Sequence, residues 1–372
     1  MKPAIVLVLI AAAFSVVSAR AQEPPVDILR TLRSETLAAP FAVLEGTDGS
    51  VFVSDPLAKG IFRVTPGGEW VRIAREGSGP GEVRLFAGLG WRADTLVSPD
   101  PASRSLVLFD SSGTFLEELR VELPPSTPAR PESQAMPVLL LPDGGILTIP
   151  LVFAGAHEPG RTAPYGRLDR EGPGFDTLML RDISGTHVRV NVRSSVPVNS
   201  PEHFLARPTV AIDLRGEIMV RVREVERGLE LTWLRLSTGE RTVLEIDVEK
   251  PQLERAEVEQ VLSRWARANA ERRGIMPAAL LSALRDAVTV PPTKPLFTEA
   301  AAASGGHVWL RGFSTSDRVV WTRYSLDGSR PLVVRLRARD EVKDVGEDWM
   351  WIVRRDDFDI PTLIKIRSST SG

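Results

Sequence analysis

Apolar and polar residues alternate in short runs along the whole chain. Six of these runs follow a small or turn-forming residue and are rich in β-branched and aromatic side chains. This alternation is typical of half-buried strands and differs from the longer period of an amphipathic helix. The six runs occupy residues 49–55, 94–100, 145–150, 216–222, 306–312 and 348–355.

A second pattern follows each of the first five runs: a strand, a turn with glycine, and another strand. Ahead of most runs lies one more short strand, as at 40–49. The sixth run is followed by one strand at 362–369, and residues 26–34 form an extra strand before the first repeat. A ring closed by strands from both termini has no open edge. The chain is therefore predicted to be an all-β, six-bladed β-propeller closed by its N- and C-terminal strands.

Short and long connections alternate along these repeats. In a propeller, strands one and two, and strands three and four, are joined on one face, which we call the short-turn face. The other connections lie on the opposite face, which we call the long-connection face, and include residues 122–135, 151–163, 182–205 and 250–295. Insertions that collect on one face of a repeat protein are typical of a binding surface. The alternative is that they collect there because they do no harm to the fold.

The longest insertion, about 252–290, has a helical pattern and falls between blades 4 and 5. One apolar stripe on a charged helix over 252–273 is formed by Val258, Val261, Leu262 and Trp265. Gly274 is expected to end this helix, and Pro277 to begin a second one. The helical hairpin is predicted to fold down onto the propeller, and a lid or a docking element for a partner is the alternative.

Residues 1–21 are predicted to be a signal peptide, which leaves residues 22–372 as the propeller. Lys2 precedes an apolar run from Ala4 to Val17, and small residues that suit a cleavage site follow. The run is too short to cross a bilayer comfortably, and no later apolar stretch is long enough. The protein is therefore expected to be exported, periplasmic or extracellular, with no membrane span in the mature chain.

The composition of the chain argues against a nucleic-acid partner and excludes disulfide bonds. The chain carries 46 Lys and Arg against 48 Asp and Glu, a net charge of −2, and no concentrated basic patch points to a nucleic-acid partner. The chain has no cysteine, so no disulfide bond stabilises the fold. Stability must come from the buried core, which a chain of this size can supply.

Residues 75–119 carry the repeat motifs most fully. Their opening loop, GSGPGE, has a glycine or proline at four positions, Gly77, Gly79, Pro80 and Gly81. A strand that ends in aspartate occurs at Asp55 and at Asp100, and a turn of the form FDSSG runs from Phe109 to Gly113 and contains Asp110. Glycine and proline suit a sharp chain reversal, and the two strand-ending aspartates are expected to bind backbone groups of their own blades. A phosphate-binding loop would need a Lys-Ser/Thr pair, which GSGPGE lacks.

These motifs resemble the NHL-repeat type of six-bladed β-propeller, firmly over 39–120 and faintly elsewhere. The resemblance implies an exported bacterial propeller, and most members of that group have no assigned activity. Several related propellers are lactonases or lyases with a divalent cation in the central channel. In those enzymes Asp, Glu, Asn or His side chains from different blades hold the cation.

No catalytic, cofactor-binding or metal-binding residue is predicted from the sequence. The histidines show no HExxH spacing, and they are His157, His187, His203 and His307. The chain has no G-x-S-x-G motif, and the acidic run at 356–359 lacks the spacing of a calcium loop, which favours a solvated turn. Large aromatic residues of the second and outer strands are predicted to pack between blades, among them Trp70, Trp233, Trp309, Trp321, Trp349 and Trp351.

The leading functional prediction is non-catalytic recognition of a protein, peptide or glycan of the cell envelope by the long-connection face. The alternative is a metal-dependent, lactonase-like hydrolase or lyase that uses the central channel, where a divalent cation would be its only cofactor. A passive component of an envelope assembly is the third prediction.

Overall fold

The computed structural model describes residues 5–9, 26–122, 133–152, 162–169, 175–182, 187–192, 194–199, 209–270, 276–288 and 290–368. Within these ranges the chain forms six sheets of four antiparallel strands, so the predicted six-bladed β-propeller is confirmed. Most of the predicted signal peptide, His157, His203, Gly274 and most of the connections at 122–135, 151–163 and 182–205 lie outside the described residues.

Each sheet is one blade, and we number the blades in chain order. Blade 1 contains β3 (Ala42–Glu45), β4 (Val51–Asp55), β5 (Gly60–Val64) and β6 (Trp70–Arg75). Blade 2 contains β7 (Gly90–Arg92), β8 (Thr95–Asp100), β9 (Ser105–Asp110) and β10 (Phe115–Arg120). Blade 3 contains β11 (Ser133–Leu140), β12 (Ile146–Val152), β13 (Thr162–Leu168) and β14 (Phe175–Asp182).

The second half of the ring repeats this order. Blade 4 contains β17 (Thr209–Ile212), β18 (Ile218–Val225), β19 (Gly228–Arg235) and β20 (Arg241–Asp247). Blade 5 contains β21 (Glu299–Ala303), β22 (His307–Arg311), β23 (Arg318–Ser325) and β24 (Leu332–Arg337). Blade 6 contains β25 (Glu341–Val345), β26 (Trp349–Arg355), β27 (Pro361–Ser368) and, from the other end of the chain, β2 (Val26–Leu32).

The pairing of β2 with β27 closes the ring, as the sequence predicts. The register is antiparallel and runs from Val26 opposite Ser368 to Leu32 opposite Leu363. Two elements lie outside the blades. The strand β1 (Ile5–Leu9) runs parallel to β20, and a hairpin of β15 (His187–Val192) and β16 (Ser194–Asn199) follows blade 3.

The core lies between neighbouring blades, because each blade covers the face of the next. The second strands are buried on both faces, as in β4, whereas outer strands such as β10 are mostly exposed. Phe52 of blade 1 meets the edge of the Trp91 ring of blade 2, with ring centroids 5.3 Å apart. Trp309 packs between blades 5 and 6, and Trp351 packs between blades 6 and 1. The predicted role of the large aromatic residues in blade packing is therefore confirmed for these positions.

The predicted helical hairpin occupies its predicted place between β20 and β21. It consists of α1 (Arg255–Ala270) and α2 (Pro277–Ala287), and Pro277 is the first residue of the second helix. The two helices share a small apolar core of their own, in which Leu262, Leu280 and Leu284 are fully buried. Neither of these described helices combines the length and the apolar character that a bilayer crossing needs.

Candidate binding surface

Asp55, at the end of β4, holds two loops of the long-connection face together. Its Oδ2 accepts hydrogen bonds from the backbone N–H groups of Ala38 (2.8 Å) and Ala39 (2.9 Å). Its Oδ1 accepts them from Leu57 (3.0 Å) and Ala58 (2.9 Å). The carboxylate is fully buried, so these four donors replace its water. The loop before β3 and the turn after β4 are thereby fixed to each other.

Asp100 makes the equivalent set of bonds in blade 2. Its carboxylate accepts the backbone N–H groups of Arg84 and Leu85, in the connection from blade 1, and of Ala102, in the turn after β8. The hydroxyl of Ser103 donates to its Oδ2 at 2.8 Å. The strand-ending aspartates of the sequence motif therefore organise the loops of the long-connection face.

The GSGPGE loop lies on the same face and folds around its own glutamate. Glu82 accepts the N–H of Gly79 at 2.7 Å and pairs with Arg75 at 2.7 Å. These two contacts lower the pKa of Glu82. A Cβ at Gly77 would lie 2.0 Å from the Glu82 carboxylate, so a side chain there would displace this carboxylate from its present position. The exposed Pro80 and then Gly81 complete the turn before Glu82.

Asp110 and Gly113 lie on the opposite, short-turn face. The Oδ1 of Asp110 accepts the N–H groups of Ser112 (2.9 Å) and Thr114 (2.8 Å), and the N–H of Gly113 donates to the Asp110 carbonyl at 3.0 Å. The Ser112 hydroxyl and these N–H groups lower the pKa of Asp110. The eight motif residues therefore do not form one site, because they are divided between the two faces of the ring.

A turn from blade 4, residues 213–217, crosses the short-turn end of the central axis. The carbonyl of Leu214 accepts the N–H of Trp91 in blade 2 at 2.7 Å. Arg215 donates to the carbonyl of Glu45 in blade 1 at 3.3 Å. The Glu45 carboxylate in turn accepts Lys365 of blade 6 at 2.5 Å. These contacts join four blades across the axis.

Two buried carboxyl groups belong to this axial network. Burial raises the pKa of Asp344 to about 7, although the charge of Arg215 opposes the change. Burial also raises the pKa of Asp213 to about 6. Among the described residues, no three His, Cys, Asp or Glu side chains come together as a metal-binding group.

His307 is the one histidine whose side chain the described residues include. Its Nδ1 lies 2.8 Å from the Ser325 hydroxyl on the neighbouring strand. Burial, together with the charge of Arg323, lowers the pKa of His307. The pair lies at the short-turn end of blade 5, away from the helical hairpin.

The helical hairpin is attached to the long-connection face by polar contacts at the start and middle of α1. Gln260 and Arg264 both donate to the carbonyl of Thr315, at 2.8 and 2.7 Å, in the connection between β22 and β23. Lys294 pairs with Glu257 at 2.7 Å. Phe313, from the same connection as Thr315, packs against the apolar core of the hairpin.

A groove of about 1130 Å³ lies between α1 and the long connections of blades 5 and 6. We call it the arginine groove, because seven arginines but only four aspartates line it. Asp340 is buried and forms a two-bonded ion pair with Arg354, and Arg311 pairs with Glu299. These pairs fix the walls of the groove.

Three exposed arginines of the groove have no ion pair or side-chain hydrogen bond to the described residues: Arg318, Arg337 and Arg339. Arg318 on β23 stands directly opposite Arg337 on β24 in the strand register. Like charges placed opposite each other across a sheet repel. This part of the groove therefore presents unneutralised positive charge.

The turn at 356–360 borders the arginine groove and contributes to a group of exposed apolar side chains on the long-connection face. We call this group the apolar rim, and it consists of Phe41, Leu57, Phe358 and Ile360. Arg355, which lines the groove, donates to the carbonyls of Asp359 (2.9 Å) and Ala38 (3.3 Å). Because Asp55 joins the loop at Ala38 to the turn at Leu57, hydrogen bonds connect the groove-lining Arg355 to loops that carry the rim.

The sequence pattern predicts the face but not these residues. The groove combines arginines from a helix and from two blades, which lie far apart along the chain. The one local signal is the spacing of Arg337 and Arg339, two positions apart at the end of an outer strand. The acidic positions 356–359 form the predicted solvated turn, in which Asp356 accepts the N–H groups of Phe358 and Ile360.

No protein-family model matches the chain, and no curated protein matches it. The NHL-repeat resemblance therefore stays a prediction.

Several solved structures are similar to this chain at low sequence identity. A candidate exported protein of Bacteroides fragilis NCTC 9343 is 12% identical, over 99% of this chain and 100% of its own, with a TM-score of 0.49. A member of the DUF4221 family from Bacteroides vulgatus is 8% identical, over 92% and 97%, with a TM-score of 0.49. Virginiamycin B lyase from Staphylococcus aureus is 10% identical, over 91% and 98%, with a TM-score of 0.42.

Proposed function

We propose that this protein is exported and acts as a binding protein, whose long-connection face recognises a protein, peptide or glycan of the cell envelope. One observation carries the proposal. Seven of the described residues with large, exposed apolar side chains lie in connections between strands, and all seven lie on the long-connection face. They are Phe41, Leu57, Leu85, Met276, Val290, Phe358 and Ile360.

This distribution is not required by the fold. The side chain of Phe358 is 85% exposed and that of Leu57 is 72% exposed, so neither contributes much to the propeller core. Burying such a side chain against a partner would contribute about 1.5–3 kcal/mol. Exposed apolar groups therefore lie on the face that also holds a groove of about 1130 Å³. This arrangement favours a binding surface over a face where insertions are merely tolerated.

Export is supported by the N-terminal sequence, with a charged residue, an apolar run and small residues in the order of a signal peptide. The proposal places the partner in the same compartment.

The test compares two pairs of matched substitutions in the full mature chain. Leu57→Ser with Phe358→Ser alters the long-connection face, whereas Val71→Ser with Leu116→Ser removes exposed apolar groups from outer strands. Each immobilised variant is incubated with an envelope extract of the source organism, and the retained proteins and sugars are identified. We expect the first pair to lose a component that wild type and the second pair retain. Identical retention by all three proteins would overturn the proposal.

A further inference from the structure

The arginine groove and the apolar rim together specify the chemistry of the occupant. Arg318, Arg337 and Arg339 offer guanidinium groups that the described residues leave without a carboxylate. A guanidinium fork binds a carboxylate through two parallel hydrogen bonds, which a lysine cannot do. The facing pair Arg318 and Arg337 would be relieved of its repulsion by an anion placed between them.

The rim adds a requirement that a simple anion does not meet. Phe358 and Ile360 lie one and three positions after the groove-lining residue Asp357, in the same turn. A ligand that reaches from Arg337 to this turn would therefore meet positive charge at one end and bulky apolar groups at the other. Aromatic side chains and arginines are enriched at protein interfaces.

From this juxtaposition we infer that the ligand of the long-connection face is a polypeptide segment that combines acidic residues with large apolar ones. Its carboxylates pair with Arg318, Arg337 and Arg339, and its apolar side chains pack on Phe358, Ile360 and Leu57. The inference rests on the proposed function, because it names the partner class of the same face. Asp317, Asp356 and Asp357 are exposed at the groove and disfavour a purely anionic ligand, which the mixed segment accommodates by placing its apolar side chains near Asp356 and Asp357.

The experiment uses a fluorescein-labelled peptide of about twelve residues, roughly 40 Å when extended, in which Glu alternates with Leu and Phe. A second peptide carries Gln in place of every Glu. Binding to the full mature chain is measured by fluorescence anisotropy at low and moderate salt. We expect the Glu peptide to bind more tightly than the Gln peptide, and the difference to shrink as salt rises.

Two variants locate the contact. Arg318→Glu with Arg337→Glu keeps a like-charged facing pair, so the strain within the sheet is matched to wild type. Arg120→Glu is the control, because Arg120 is also exposed and also ends the outer strand of its blade, on the other side of the ring. We expect the double variant to weaken binding of the Glu peptide at least about tenfold, and the control to leave it within about twofold.

Other results overturn the inference and separate its failure from that of the proposed function. Equal binding of the Glu and Gln peptides, or no loss in the double variant, would refute the acidic ligand. The second probe is oligogalacturonate, an oligosaccharide that carries carboxylates. If it binds, if Arg318→Glu weakens this binding and if the Glu peptide does not bind, the ligand is a glycan. The inference then fails while the proposed function stands. Failure of the proposed function itself is shown by unchanged envelope capture in the Leu57→Ser, Phe358→Ser variant.

Discussion

The buried carboxylate of Asp55 accepts four hydrogen bonds from backbone N–H groups. Asp110, in the turn motif of blade 2, binds only local groups at the surface. Both residues belong to the repeat motif, but their burial differs, and burial decides how much each contributes. An N–H group that loses its acceptor inside the protein costs more than one that water can reach.

Asp55→Ala should therefore destabilise the protein by about 3 kcal/mol or more, since it leaves four N–H groups without an acceptor. Asp110→Ala should cost about 1 kcal/mol or less, because water can replace its carboxylate. Urea denaturation of both variants measures the difference in the free energy of unfolding. Equal losses would show that Asp55 does not hold the two loops as described.

At the level of secondary-structure elements, ring closure depends on β2, which comes from the N-terminal part of the chain and pairs with β27 in blade 6. Leu32 on β2 is buried in the cluster between blades 6 and 1, whereas Leu29 on the same strand is 41% exposed. Leu32→Ala should cost about 2–4 kcal/mol, because it leaves a cavity at the closure. Leu29→Ala should cost less than about 1 kcal/mol. Thermal unfolding of the two variants checks this, and similar losses would contradict a closure that depends on burial.

The helical hairpin is held to blade 5 through the carbonyl of Thr315. Removing both of its donors, with Gln260→Ala and Arg264→Ala, should loosen the hairpin without unfolding the propeller. Arg267→Ala is the control, because among the described residues Arg267 donates to Ser263 of its own helix and to no group of the blades. Hydrogen exchange should become faster over α1 in the double variant, while the blades and the control variant exchange as in wild type. Unchanged exchange in α1 would show that apolar contacts alone, such as Phe313, hold the hairpin.

Sequence periodicity predicts elements well here because each strand has its own alternation and each turn its own glycine. The closing strand, both helices and the face of the insertions all follow from such local patterns. The arginine groove and the apolar rim do not, because an exposed Phe358 and a buried Phe109 look alike in a strand-rich sequence. Only the packing of blades decides which apolar residues remain outside.

On the scale of the whole molecule, the turn at 213–217 ties the ring together at its short-turn end. The sequence shows it only as one more tight turn with glycine. Gly216 has a φ of +71°, which favours glycine, and a Cβ there would lie 3.0 Å from Leu139 of blade 3. With Trp91 and Glu45 also bound, one turn of blade 4 contacts blades 1, 2 and 3. Such long-range contacts across the axis are not visible in a local pattern.

The axial carboxyl groups make the stability of the ring depend on pH. Burial raises the pKa of Asp344 to about 7 and that of Asp213 to about 6, above the ordinary aspartate value of 3.8. Between pH 4 and these values the folded protein binds more protons than the unfolded chain. The free energy of unfolding should therefore fall as pH rises through this window and level off above about pH 7, with a slope of at most about 1.4 kcal/mol per pH unit for each group.

Asp344→Asn should remove the contribution of that group, because the amide carries no proton to lose. We expect the variant to resemble wild type near pH 4, to be somewhat more stable than wild type at pH 5 and to exceed it by more at pH 8, as measured by urea denaturation at these three pH values. Asp340→Asn is the matched control. Asp340 is also buried, but it forms an ion pair with Arg354. Replacing the Asp340 carboxylate leaves Arg354 without its partner, so this variant should be less stable than wild type at pH 5 and at pH 8 alike. If the Asp344→Asn and wild-type curves instead run parallel between pH 5 and pH 8, Asp344 is already ionised at the axis, and its charge is balanced there by Arg215.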